Sequence, residues 1–298
     1  MEWTRRLSGR LFPARRLTTS FAAADVIAAI DLMGDDRRRE RHVLETAIDA
    51  GAAAVPHLVK ALGRHVNSKR RVTLWALAYL GGDEAIGALQ DEVLVRSGSD
   101  ATAALCAALP SRASPDDRAF LIRILESRPQ SPSMHQWEAV TTAAMAIGIL
   151  RAQEAVPALE KVMREAPGIP AHAAEVAASW IREGTLAVDI TDMSPAEAPI
   201  LAAVFANGIP RSDEATEFVD AQRRGVWVRQ AGLWSFRRGI GTGRLPRMGL
   251  SIHQSPDSAR ALVSAALVFG PANGEGCDYV LEWRESWNVK SLVLTWTS

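Results

Sequence analysis

Cysteine is almost missing from this 298-residue chain: only Cys106 and Cys277 occur. Two cysteines cannot form a disulfide framework, so a reducing cytoplasm is the expected compartment. Neither charge sign dominates either, since Lys plus Arg and Asp plus Glu both number 34 and the net charge is zero. That balance argues against attraction of the whole chain to nucleic acid or to a membrane surface. No stretch approaches the roughly 18 unbroken apolar residues of a membrane span. The six histidines (His42, His57, His65, His135, His172 and His253) never pair at helical spacing with an acidic helper, and Gly63 separates His57 from His65. A two-histidine zinc motif is therefore absent, as is a Gly-x-Ser-x-Gly nucleophile elbow, and neither cysteine has a histidine beside it. No metal and no cofactor are expected.

What the chain does have is a phrase that recurs. Ala54-Val55-Pro56-His57-Leu58 returns as Ala85-Ile86-Gly87-Ala88-Leu89 and as Ala155-Val156-Pro157-Ala158-Leu159. Aligned on their central leucines, four units anchor at Leu58, Leu89, Leu121 and Leu159, spaced by 31, 32 and 38 residues. Val55, Leu58, Val59 and Leu62 fall at i, i+3, i+4 and i+7, the apolar face of a helix. Each such helix is followed by a second one, with faces marked by Val72, Trp75 and Tyr79, by Leu105 and Leu109, by Trp137, Val140 and Ile147, and by Val176, Trp180 and Ile181. Ser68 and Asp100 are placed to cap two of the second helices, Ser114-Pro115 starts the helix of Leu121, and Gly81-Gly82 and Gly184 act as stops. The third unit is degenerate, carrying Arg118 where the others have an aliphatic residue. A further pair near 21–34 and 37–50 forms the capping hairpin. One hairpin cannot bury its apolar face until a neighbour stacks on it, so residues 21–185 read as an α-solenoid.

Residues 1–20 differ in kind. Arg5, Arg6, Arg10, Arg15 and Arg16 stand against Glu2 alone, and Trp3, Leu7 and Leu11 make a narrow stripe that Pro13 ends. No apolar core follows the arginines, so a secretory signal is not expected. A docked or frayed helix is the plain reading, and membrane-surface contact by residues 1–16 is the alternative.

After Gly184 the texture changes. Ser194-Pro195-Ala196-Glu197 starts one helix, and from there strand signals take over. A hairpin is expected around Gln230-Ala231-Gly232, a strand over 248–253, a hairpin turning at 270–274, and a last one turning at Glu285-Ser286. Five of the nine tryptophans (Trp227, Trp234, Trp283, Trp287 and Trp296) lie here and are expected to fill its core. The expected fold class is α+β, an all-α solenoid followed over 190–298 by a small α+β unit with a curved antiparallel sheet.

Two resemblances follow from these residues. Gly82-Asp83-Glu84-Ala85-Ile86-Gly87-Ala88-Leu89, with the two Ala-Val-Pro copies and Arg70-Arg71 before Ala76 and Leu77, resembles HEAT-like repeats of the phycobilisome-lyase type over residues 50–185. This resemblance implies a fold, and no residue here matches bilin-lyase chemistry. Asp278-Tyr279-Val280-Leu281 and Trp287-Asn288-Val289-Lys290-Ser291-Leu292 resemble the closing sheet of the NTF2-like (SnoaL-type cone) superfamily, which implies a cone-shaped cavity.

The function expected from these readings is a non-catalytic protein-interaction scaffold, with no nucleic-acid partner. A solenoid offers an extended groove, typically lined by its second helices, that grips a partner protein. The binding candidates are the polar helix starts Lys69, Arg70, Arg71 and His172. Arg237, Arg238, Arg244 and Arg247 around Gly239-Ile240-Gly241-Thr242-Gly243 add an anion-attracting hairpin connection. That glycine run is not a phosphate-binding loop, because Leu245-Pro246 follows it and no helix does. The alternative is a small-molecule-binding or acid–base enzyme in which His253, Asp278 and Tyr279 share a cavity of the C-terminal unit. A bilin-lyase-like chaperone is a third reading.

Overall fold

The computed structural model describes residues 23–33, 37–96, 99–127, 134–209, 217–239, 245–270 and 273–297. Residues 1–20 and the 240–244 stretch with Arg244 lie outside them. Ten helices form five hairpins: α1 Ala23–Leu32 with α2 Arg37–Ala50, α3 Val55–Leu62 with α4 Asn67–Leu80, α5 Gly82–Arg96 with α6 Ser99–Ala108, α7 Pro115–Glu126 with α8 Met134–Leu150, and α9 Val156–Glu165 with α10 Ile169–Glu183. Second helices pack on second along the whole stack, α2 on α4, α4 on α6, α6 on α8 and α8 on α10, while first helices pack on first as α1 on α3, α3 on α5, and α7 on α9. Leu58, Leu89, Leu121 and Leu159 are all fully buried, one in each of α3, α5, α7 and α9. Ser114 caps α7 in a reciprocal box, its hydroxyl accepting from the Asp117 N–H while the Asp117 carboxylate accepts from the Ser114 N–H, both at 3.2 Å. Two expected caps are shifted. Asn67 begins α4 with Val66 at the cap position, and Asp100 lies inside the first turn of α6. The degenerate third unit leaves Arg118 half-buried, 3.6 Å from Glu154.

The second helices form a central layer. Residues 72–79 of α4, 103–108 of α6 and 139–148 of α8 are buried without interruption, so no face of these segments meets water. A helix apolar all round belongs between two bodies. Alanine keeps the layer thin, and α8 and α10 approach so closely that a Cβ on Gly148 would lie 2.9 Å from the Trp180 ring and 3.1 Å from Ala177. The second covering body is the C-terminal sheet: α2 lies against β5 and β6, while α6 and α8 lie against β8.

That sheet has eight strands in the order β1-β4-β3-β2-β5-β6-β7-β8, curled into a half-barrel. They are β1 Ala187–Asp189, β2 Glu217–Asp220, β3 Gly225–Gln230, β4 Leu233–Arg238, β5 Arg247–Gln254, β6 Arg260–Gly270, β7 Asn273–Trp283 and β8 Trp287–Thr297. The expected antiparallel sheet is in fact mixed, because β1 joins β4 and β2 joins β5 in parallel. Both β1 and β2 are too short to show a strand pattern in the sequence. The glycine–arginine connection is not a hairpin either: β4 and β5 are separated in the sheet by β3 and β2, so it is a crossover. The three expected hairpins are present: β3–β4 at Ala231-Gly232, where both residues have positive φ, β6–β7, with Gly270 paired to Asn273, and β7–β8 at Glu285-Ser286. One helix, α11 Ala198–Ala206, packs its Phe205 into the sheet, stacked on Trp227 with ring centres 3.6 Å apart and edge-on to Trp234 at 5.3 Å. Phe218 and Phe236 join this aromatic fill. Trp227 and Trp234 are core residues as expected, but Trp283 is exposed at a hairpin end, edge-on to Trp287. The Trp296 side chain lies outside the described residues.

Candidate functional site

A set of charged and hydroxyl groups meets on the seam between the helices and the sheet, among them the sequence candidates His253, Asp278 and His172. Arg41, Glu45 and Asp49 stand at i, i+4 and i+8 on α2, one stripe facing β5, β6 and β7. Arg41 Nε donates to Glu45 Oε1 at 2.7 Å, and its Nη1 donates to Ser264 Oγ at 2.6 Å. The Ser264 hydroxyl donates to Asp278 Oδ1, and the Tyr79 hydroxyl of α4 donates to Asp278 Oδ2 at 3.1 Å. His253 Nε2 donates to Asp49 Oδ1 at 2.8 Å. A second histidine–carboxylate pair closes the far end of the stack, where His172 Nε2 of α10 lies 3.4 Å from Glu275 Oε2 of β7. Arg229 of β3 reaches Glu183 at the end of α10, Nη2 to Oε2, at 2.5 Å.

The sequence placed His253, Asp278 and Tyr279 in one cavity, and the structure separates them. Consecutive strand residues face opposite sides of a sheet, so Asp278 meets Tyr79 while Tyr279 is fully buried with its hydroxyl donating to the Gly208 carbonyl at 3.1 Å. His253 and Asp278 do share the helix-facing side, each with its own partner. The basic trio is likewise engaged within the stack. Lys69 Nζ donates to the Asp31 carbonyl of α1 at 2.8 Å, Arg70 pairs with Glu92 of α5, and Arg71 Nη2 lies 3.2 Å from Glu138 of α8. On the sheet, Arg238 Nε donates to the Asp192 carbonyl at 2.8 Å, and Arg237 and Arg247 are exposed. Arg41, Glu45, Asp49, Tyr79 and Ser264 escaped the sequence reading. The stripe on α2 looks like a solvated face until a sheet is known to cover it.

Burial and pairing both shift the titratable groups of the seam. Burial lifts the Asp278 carboxyl above the usual carboxylate range, against the opposing hydrogen bond from Ser264, the charge of Arg41 and the hydrogen bond from Tyr79. Burial and then the Asp278 charge push the Tyr79 phenol well up. Burial alone would lower His253, but the hydrogen bond and charge of Asp49, helped by Glu45, hold it above the ordinary histidine value. Cys106 and Cys277 are both pushed up by burial, which keeps them as unreactive thiols. Within the seam each oxygen of Asp278 accepts one hydroxyl, and the Ser264 hydroxyl both accepts and donates, so the network is closed on itself. Among the described residues no group of three or more His, Cys, Asp or Glu is arranged to hold a metal ion, and no helix is long and apolar enough to cross a membrane.

A different surface is open. A groove of about 490 Å³ lies where α7 and α9 end beside the start of α8, floored by Leu125, Trp137, Val140 and Val162. Lys161 at its side directs its ammonium to the Glu126 carbonyl, 3.5 Å away. No family model matches this sequence, and no curated protein matches it.

Proposed function

We propose that the protein is a non-catalytic binding module: a HEAT-like helical stack that presents its first helices, and the edge where their C-termini lie, to a partner protein. The observation that supports this reading is the covered central layer. The face of a solenoid that ordinarily grips a partner is here filled by the chain's own sheet, and the titratable groups on that face are tied to one another across the seam. First helices α3, α5, α7 and α9 keep exposed polar faces, with His57, Lys60, Gln90, Asp91, Glu160 and Arg164 outward. An extended, regular surface of this kind suits recognition of a folded or linear protein partner.

Site-specific photo-crosslinking of the full chain in its native cells tests this. Photo-reactive residues at positions 60 and 160, on the first-helix layer, are expected to trap a discrete protein partner. Reactive residues at positions 237 and 284, on the sheet, are expected to trap none. Crosslinks arising only from the sheet positions would overturn the reading. So would turnover or tight binding of a small molecule that Asp278→Asn abolishes while leaving the melting temperature unchanged.

A further inference from the structure

We infer that the contact between His253 of β5 and Asp49 of α2 is a proton-operated latch, whose release parts the sheet from α2 while the β8 side of the seam stays docked. The latch governs the face of the stack that the sheet covers, and so goes beyond the binding-module reading. The seam is not uniform. On the β8 side, residues 103–108 of α6, 139–148 of α8 and 291–293 of the strand are buried without interruption. On the α2 side the fastening is polar. Arg41 and Asp49 bond Ser264 of β6 and His253 of β5, Glu45 braces Arg41, and the Arg260 guanidinium of β6 lies against Gly51, which follows α2. Buried apolar area holds two bodies together at any pH, whereas a polar contact adds only the margin by which its bonds exceed those to water. A fold opens first where apolar contacts are few. Among the described residues α2 also belongs to the end hairpin of the stack, which has a neighbouring hairpin on one side only.

Histidine is the side chain that changes charge nearest neutrality, and the His253 side chain is 27% exposed, so protons reach it. The charged groups that face it are Asp49, Glu45 and Arg41, all from α2, and β6 beside it presents the apolar Leu262. Burial opposes the imidazolium, but Asp49 and Glu45 outweigh both burial and the Arg41 charge. The proton is therefore kept through the ordinary histidine range and leaves on its alkaline side. Once it has left, the bond to Asp49 loses its charge assistance, and a carboxylate faces a neutral ring. Behind the latch stands the chain of Ser264, Asp278 and Tyr79. Parting of α2 from β5 and β6 brings water to Tyr79 of α4 and bares part of the second-helix face, by which a solenoid ordinarily grips a partner. The motion separates two bodies and leaves the backbone bonds of α4 intact.

The chain contains two tyrosines, and they report separately. Tyr79 lies behind the latch, while Tyr279 is buried on the opposite face of the sheet. Hydroxyl-radical footprinting of the full chain, read by mass spectrometry, compares their oxidation at about pH 6 and about pH 9, on either side of the ordinary histidine value. Tyr79 is expected to be oxidised about five- to tenfold faster at the higher pH, the worth of charge assistance in one hydrogen bond, with Tyr279 unchanged. His253→Gln and Asp49→Asn each remove the charged pair, and each is expected to give the faster Tyr79 rate at both pH values. Equal oxidation of Tyr79 at the two pH values in the wild-type chain would overturn the latch. So would a rise that Tyr279 shares, which reports unfolding of the whole chain, or a rise that persists in either variant.

Discussion

First and second helices of the same hairpins carry different information. In α3 and α9, buried positions alternate with exposed ones at the helical period, as in any helix with one side in water. In α4, α6 and α8 the runs Val72–Tyr79, Ala103–Ala108 and Ala139–Gly148 have no polar side at all. A two-layer solenoid would leave its second helices a wet face. Their lack of one means that a further body covers them, and the sheet supplies it. The comparison teaches that the extent of a helix's apolar surface reports how many neighbours it has.

The largest effect that would break this comparison is a charge placed in the central layer. Ala104→Asp in α6 is expected to prevent folding, since an unpaired buried carboxylate cannot be accommodated there. Lys60→Asp on the exposed side of α3 should change stability by no more than about 0.5 kcal/mol. Circular dichroism and urea unfolding compare the two, and a folded Ala104→Asp chain with an unchanged midpoint would mean that α6 is not enclosed. A pair of glycines sharpens the point with opposite signs. Gly148→Val drives side-chain atoms into Trp180 and Ala177 and should destabilise by about 1–3 kcal/mol or more. Gly87→Ala in α5 meets nothing within 4 Å and should stabilise by about 0.5–1 kcal/mol.

Loss of the α7 cap is of intermediate size. Asp117→Ala removes the box with Ser114 and the ion pair with Arg112, an expected loss of about 1–2 kcal/mol in urea unfolding. Burial opposes ionisation of Asp117, but the bonds from Arg112 and Ser114 win and hold its carboxyl below the usual value. Its contribution is therefore present above the unfolded carboxylate range near pH 3.8 and is lost as pH falls through the depressed native value. The seam gives the smallest effect, with the opposite direction. His253 is raised, so the stability it contributes is complete below about pH 6.5 and disappears as pH rises through its native value. His253→Gln should differ from wild type at pH 6 and converge with it near pH 8.5 in thermal melts. A difference that grows with pH would contradict the Asp49 pairing.

Much of the helical part was legible. The Ala-Val-Pro phrase, the anchoring leucines and the Ser114-Pro115 start each describe a local event, and local events are written in adjacent residues. The first hairpin, expected near 21–34 and 37–50 as the cap of the stack, is formed by α1 and α2. Parallel pairings escaped because β1 and β2 have three and four residues and take their partners from far along the chain. The seam escaped for the same kind of reason: Asp49 and His253 are 204 residues apart, and nothing in either neighbourhood names the other. Asp278 and Tyr279 were placed together because they are adjacent, although strand geometry sends adjacent side chains to opposite faces.

Enclosure of the second helices is most directly measured by native-state hydrogen exchange on the intact chain. Amides of Val72–Tyr79, Ala103–Ala108 and Ala139–Gly148 are expected to be the slowest of the helical part, opening only with global unfolding and together with β6, β7 and β8, while α3 and α9 open earlier. Exchange of those three segments as fast as α3 and α9 would mean that water reaches the central layer, and that the sheet does not cover it.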